Sequence, residues 1–165
     1  MHAQGISTSE WYAVVLAPIG RLGLRGTDRE LTAVDFLPAD APLRLPEVAL
    51  ARAAAAQLEQ YFRDPRTEFR LPLALPGTLF QQRVWAALRA IPPGAMRTYG
   101  ELARELGSAA RAVGGACRAN PIPVIVPCHR VVGQAGHGGY CGTVAGELME
   151  LKRWLLAHEG MLLFR

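Results

Sequence analysis

Residues 78–119, TLFQQRVWAALRAIPPGAMRTYGELARELGSAARAVGGACRA, decide the fold of the C-terminal half. Thr78 and Gln81 have the spacing of a capping box, in which side chain and backbone satisfy each other's unpaired N–H groups. They precede Phe80, Val84, Trp85 and Leu88 at helical spacing, so a helix is predicted to run to the break at Pro92-Pro93. Thr98 with Glu101 repeats the signal and predicts a second helix over Tyr99–Leu106, stopped by Gly107. Ser108 is placed to cap a third over Ala109–Ala119. Two short helices around a glycine turn make a helix-turn-helix. The third contains Gly114 and Gly115, each costing about 1 kcal/mol against alanine in a helix. Close approach of a nucleic-acid backbone would account for them, and so would tight packing on another helix.

Toward the N-terminus, WYAVVLAPIG, RLGLRGT and ELTAVDFL are short β-prone runs separated by turn residues, so residues 11–37 read as an antiparallel meander. An Ala- and Leu-rich helix over Glu47–Phe62 follows and ends at Asp64-Pro65. Two prolines in LPLALP, Leu71–Pro76, mark a connection. The expected organisation is α+β: an N-terminal domain over 1–70, a connecting segment over 71–76 and a mostly helical, winged-helix-like domain over 77–165.

Half of the 165 residues are hydrophobic, enough for one or two small domains with a real core. No stretch supplies the roughly 18 uncharged apolar residues of a membrane span. MHAQGISTSE lacks the basic and apolar regions of a signal peptide, and a soluble, cytoplasmic protein is expected. Three cysteines, Cys117, Cys128 and Cys141, make an odd number with no CxxC pair, so reduced thiols and no metal site are expected. The net charge of +4 is uneven: Arg83, Arg89, Arg97, Arg104, Arg111, Arg118 and Arg130 face only Glu101 and Glu105 over the same stretch. That balance suits a polyanion, and it equally suits a solvated basic face.

After Asn120 comes PIPVIVPCHRVVG, a β-branched apolar run that reads as a buried strand carrying Cys128 at its end. A cysteine among valines is by default an inert core residue. His129 and Arg130, a base and a fixed cation beside the sulfur, favour the nucleophilic thiolate instead. Neighbours on a regular strand point to opposite faces, so Cys128 and His129 cooperate only if the chain bends at Pro127 or a water bridges them.

PCHRVVG, preceded by RAVGGACRANPIP and followed by WLLAHEG, closely resembles the O6-alkylguanine-DNA alkyltransferase family. The resemblance covers most of Leu75–Gly160, whereas the N-terminal half matches only in layout. It implies an RNase H-like N-terminal domain and a single-use repair protein without cofactor. Cys128 would accept the alkyl group from O6-alkylguanine, with O4-alkylthymine a further substrate. His129 would deprotonate Cys128 through a water, Glu159 would orient His129, and Asn120 would be the hinge between recognition helix and active-site segment. Arg111 would fill the gap left by the flipped nucleotide, and Tyr99 would press on the target phosphate and donate to the guanine.

The resemblance further places the third helix in the minor groove of double-stranded DNA, independent of sequence, with Ala112, Gly115, Arg118 and Thr98 at the contact. Val131, Pro123, Tyr140 and Cys141 would wall the base pocket. A monomer that can cluster on DNA is expected. Two departures stand out: Cys141 occupies a position where the family usually carries serine or another small or variable residue, and the stretch between Tyr140 and Trp154 is about five residues longer than expected. The alternatives are a non-catalytic lesion binder, which Cys128 argues against, and a Cys/His hydrolase, which leaves the basic helix-turn-helix unexplained.

Overall fold

The structure is a computed structural model that describes residues 10–134 and 146–161. The chain divides into two compact units, Met1–Ala74 and Leu75–Arg165.

In the first unit, strands β1 (Ala13–Ala17), β2 (Gly20–Gly26) and β3 (Leu31–Leu37) form the predicted antiparallel meander in the order β1-β2-β3. Register runs from Ala13 opposite Leu24 to Ala17 opposite Gly20, with an irregularity at Arg25/Gly26. Helix α1 (Ala49–Arg63) packs against β1 and β3 through Ala51, Ala54, Leu58 and Tyr61 and stops at Asp64. Gly23 is required by its neighbour, since a Cβ there would lie 2.5 Å from the Trp11 ring. Both sheet edges are covered: Arg44 bridges to Val14 beyond β1, and Leu73 bridges to Leu31 beyond β3. The LPLA stretch therefore contributes to this unit, with Leu71 buried.

The second unit begins with α2 (Leu79–Arg89), whose capping box is complete: the Gln81 N–H donates to Thr78 Oγ1, and the Gln81 side chain accepts from the Thr78 N–H. The short strand β4 (Arg97–Thr98) leads into α3 (Tyr99–Leu106). Here only half of the predicted box forms. Thr98 accepts from the Glu101 N–H, while the Glu101 carboxylate faces Arg97 at 3.5 Å. Gly107 ends α3 in the left-handed conformation.

Ser108 does not cap the next helix. Its N–H closes α3 by donating to the Ala103 carbonyl, which shifts the N-cap of α4 (Ala110–Arg118) to Ala109. Trp85 ties α2 to α4 through a buried bond from its indole N–H to the Ala116 carbonyl at 2.9 Å.

The buried strand expected over PIPVIVP is absent. Residues 122–132 are buried, but the chain coils through turns, because three prolines interrupt any ladder and Val124 adopts φ +72°. It then makes a 3-10 turn at Cys128–Arg130 and enters β5 (Val131–Val132), which pairs parallel with β4. Helix α5 (Glu147–His158) packs against the 3-10 turn.

Candidate active site

The coil from Asn120 to Cys128 is braced by one side chain. Asn120 accepts from the Ile122 N–H at 3.0 Å and donates to the Val126 carbonyl at 2.8 Å. The same carbonyl accepts the Cys128 N–H at 2.9 Å. Asn120 thus sits one hydrogen-bonded oxygen away from the cysteine backbone, at the end of α4. A β-branched residue at positive φ is costly, roughly 1–3 kcal/mol, and persists where surrounding bonds over-determine the backbone. Val124 lies within the span that Asn120 braces.

A 3-10 turn takes the place of the expected regular strand at Cys128. Three residues complete one such turn, so Cys128, His129 and Arg130 project in different directions from a tight bend, and all three are buried. His129 Nε2 lies 2.8 Å from Glu159 Oε1. Arg130 clamps the same carboxylate, Nε to Oε2 at 2.9 Å and Nη2 to Oε1 at 2.8 Å, and sends Nη1 to the Ile91 carbonyl at 2.6 Å. The arginine expected as a cation beside the sulfur is therefore the partner of Glu159.

Burial alone would raise the Glu159 pKa. The hydrogen bonds and charges of His129 and Arg130 outweigh it and hold the carboxyl at about 2. An ionised carboxylate only accepts, so the proton of a neutral imidazole must sit on Nε2. Nδ1 is then the basic nitrogen, and it is buried with no protein partner among the described residues. Desolvation lowers the His129 pKa. Its bond to Glu159 opposes the shift, and the charges of Arg130 and Lys152 reinforce it. His129 is thus a neutral base whose open lone pair sits one residue from a buried thiol. Cys117 is the opposite kind of cysteine: burial raises its pKa to about 12, beyond any role as a nucleophile at neutral pH.

Residues 79–161 match the family model for the DNA-binding domain of 6-O-methylguanine DNA methyltransferase, and residues 11–75 match the model for its ribonuclease-like domain. The chain belongs to this family. It is 41% identical over 157 residues to the methylated-DNA–protein-cysteine methyltransferase of Methanosarcina acetivorans, covering 91% of this chain and 98% of that one. The crystal structure of Mycobacterium tuberculosis O6-methylguanine methyltransferase superposes with a TM-score of 0.74 at 42% identity, covering 88% of this chain and 90% of that one. A structure of the M. tuberculosis protein in complex with DNA gives a TM-score of 0.72 at 43% identity, with the same coverage.

In this methyltransferase-family chain, Arg111, Ala112, Gly115 and Arg118 lie exposed on α4, and Thr98 and Tyr99, both half-buried, start α3. A Cβ added at Gly114 or Gly115 would meet nothing within 4 Å, so packing on a neighbouring helix among the described residues does not explain the glycines. Pro123 and Val131 are buried beside the turn. Tyr140 and Cys141, with the rest of residues 141–145 at the start of the lengthened stretch, lie outside the described residues. No helix among those residues is long and apolar enough to cross a membrane.

Two features escaped the sequence reading. The Arg130–Glu159 clamp joins residues 29 positions apart, which no local pattern reveals. Lys152, fully buried on α5, carried a signal that went unused: it falls at i+3 spacing with Met149 and Leu155 on the buried stripe.

Proposed function

We propose that the chain repairs DNA by direct reversal, moving the alkyl group of O6-alkylguanine, and by extension O4-alkylthymine, irreversibly onto its own Cys128. The observation that carries this reading is the buried bond from His129 to an ionised Glu159, which leaves Nδ1 as the free base next to the cysteine. A water bridging Nδ1 and the thiol would carry the Cys128 proton to His129. The sulfur then attacks the alkyl carbon in line, the S–C bond forms as the C–O6 bond breaks, and the electron pair leaves with guanine, which Tyr99 assists as a donor. The thioether has no good leaving group, so each molecule acts once.

The alkylated oxygen lies inside the base stack, so the nucleotide has to be flipped out, at a cost of a few kcal/mol. Arg111, exposed on α4, is the residue assigned to hold the gap. The small residues Ala112, Gly114 and Gly115 give α4 a shallow surface for the minor groove, flanked by Arg118 and Thr98. Val131, Pro123, Tyr140 and Cys141 form the pocket in this reading. Residues 77–165 hold the chemistry and the DNA contacts, while the first unit lends structural support. A monomer working on DNA inside the cell fits that division.

The test is to mix the protein with duplex DNA bearing labelled O6-methylguanine. Stoichiometric label on a peptide containing Cys128, lost in Cys128→Ser, is the expected result. Label that stays on DNA, or emerges as methanol, overturns it.

A further inference from the structure

Of the chain's eighteen basic residues seventeen are arginine, and the one lysine is Lys152. It is fully buried in the middle of α5. Taking an ammonium out of water costs several kcal/mol unless its surroundings compensate, and a lysine kept there in a chain that elsewhere uses arginine has a specific task to perform. Lysine differs from arginine in offering a compact point charge on a slender stem, suited to a narrow site.

Its surroundings point to that task. Nζ donates to the Val131 carbonyl at 2.7 Å, three residues beyond Cys128. The same Nζ lies 5.7 Å above the centroid of the Tyr99 ring. Val131 pairs with Arg97 in the β4–β5 ladder, and β4 runs directly into Tyr99. One cation therefore contacts both the active-site segment and the aromatic residue at the head of α3. Its charge also reaches the catalytic turn, where it helps to hold the His129 pKa down.

We propose that Lys152 is a positioning residue of the transfer reaction: its ammonium, held against the face of Tyr99, makes the Tyr99 hydroxyl a stronger donor to the departing guanine. This rests on the alkyl-transfer reading and on Tyr99 meeting the base. A cation over an aromatic ring stabilises the ring as its hydroxyl gives up proton density. In the step itself the Cys128 proton goes to His129, the sulfur lone pair makes the S–C bond, and the C–O6 pair passes to guanine. The guanine anion takes a proton through the Tyr99 hydroxyl, which Tyr99 recovers from the protonated base by way of water. Atoms and charge balance, and no further reactant is needed. The hydrogen bond to Val131 meanwhile keeps β5, and with it Tyr99, in register with the turn.

The experiment is a double-mutant cycle read as the single-turnover rate of methyl transfer from a labelled duplex, at saturating protein and with folding checked by thermal melting. Lys152→Gln keeps an N–H for the Val131 carbonyl and removes the charge. Tyr99→Phe keeps the ring and removes the hydroxyl. Lys152→Gln is expected to slow transfer on the order of tenfold, and to slow it no further when Tyr99→Phe is already present. Equal slowing in both backgrounds, or a Lys152→Gln rate within about twofold of the parent, overturns the proposal.

Lys152→Met serves the same cycle if the Gln variant does not fold. The parent protein provides an independent readout, because its single lysine gives a single side-chain NMR signal in a lysine-labelled sample. That signal is expected to move in Tyr99→Leu and on binding a duplex with O6-methylguanine, and a signal indifferent to both overturns the proposal. A parent that transfers no label to Cys128 sinks the alkyl-transfer reading itself, a result distinct from additive variants in a protein that does transfer.

Discussion

Between the first unit and the second, the buried interior changes character. Around β1, β2, β3 and α1 the fully buried large side chains are Leu22, Leu24, Leu31, Leu58 and Tyr61, and the ion pairs, such as Arg63 with Glu59 and Arg66 with Asp64, lie at the surface. In the second unit His129, Arg130, Lys152 and Glu159 are all buried, and among the described residues they are the buried polar and charged side chains. Exposed pairs contribute about 0–1 kcal/mol each. Buried ones are costly to assemble and more costly to break. The first unit thus follows the ordinary rule of apolar inside and charged outside, and the second departs from it around the turn that carries Cys128.

Glu159→Gln tests that contrast hardest. It removes the anion that fixes the His129 tautomer and strands the Arg130 guanidinium in the interior. Transfer to Cys128 is expected to fall by at least about 100-fold, and stability by about 4 kcal/mol, as for other broken buried pairs. Single-turnover kinetics and urea unfolding measure the two losses. A variant that keeps the rate would show that the buried charges serve the fold alone. Leu24→Ala in the first unit is the counterpart: a cavity there is expected to cost about 3 kcal/mol, with the transfer rate per folded molecule unchanged. A rate that falls along with stability would mean that the first unit does more than support.

The pH dependence of stability sharpens the same contrast. Glu159 falls from its ordinary 4.5 to about 2 in the native state, so its contribution is complete above the unfolded value and is lost as pH drops from about 4.5 through 2. The loss amounts to about 3 kcal/mol. His129 acts with the same sign at higher pH. Its native pKa lies below the ordinary 6.5, the unfolded chain binds the proton first, and stability begins to decline below 6.5. The transfer rate, by contrast, is expected to begin falling at a lower pH than an ordinary histidine would give, since desolvation lowers the pKa of the native base. Chemical denaturation and single-turnover rates across pH 3 to 8 report both, and a rate that halves near 6.5 would place an ordinary, uncoupled histidine at the site.

What the sequence revealed follows from how local each signal is. The limits of α3 could be read because Thr98 and Gly107 act within one helical turn; motifs point to Cys128, His129, Asn120 and Glu159, and the structure joins His129 to Glu159 and Asn120 to the backbone before Cys128. The coil at 121–127 could not be read as such. β-Branched residues argued for a strand, and the outcome turned on three prolines and on Val124 held at positive φ by bonds made through Asn120. Ser108 has a capping side chain, yet the closing of α3 claimed its backbone first. Arg130 adjoins the sulfur in sequence and spends its guanidinium on a carboxylate 29 residues away. At Ser108 a neighbouring motif outweighed a local preference, and in the coil the prolines were a local signal that the β-branched run obscured.

The smallest effect concerns Gly115, where fold and function pull in opposite directions. Alanine there meets open space, so the α4 backbone is free to accept it, and helix propensity predicts a gain of up to about 1 kcal/mol. Among the described residues no protein contact calls for the glycine, which leaves a surface outside the protein as the reason to test. If that is the minor groove, Gly115→Ala is expected to raise the melting temperature by a few degrees while weakening binding to duplex DNA severalfold. Binding in the stabilised variant as tight as in the parent would remove the groove from the account of Gly115. It would also leave the exposed arginines of α4 as the evidence that this face meets DNA.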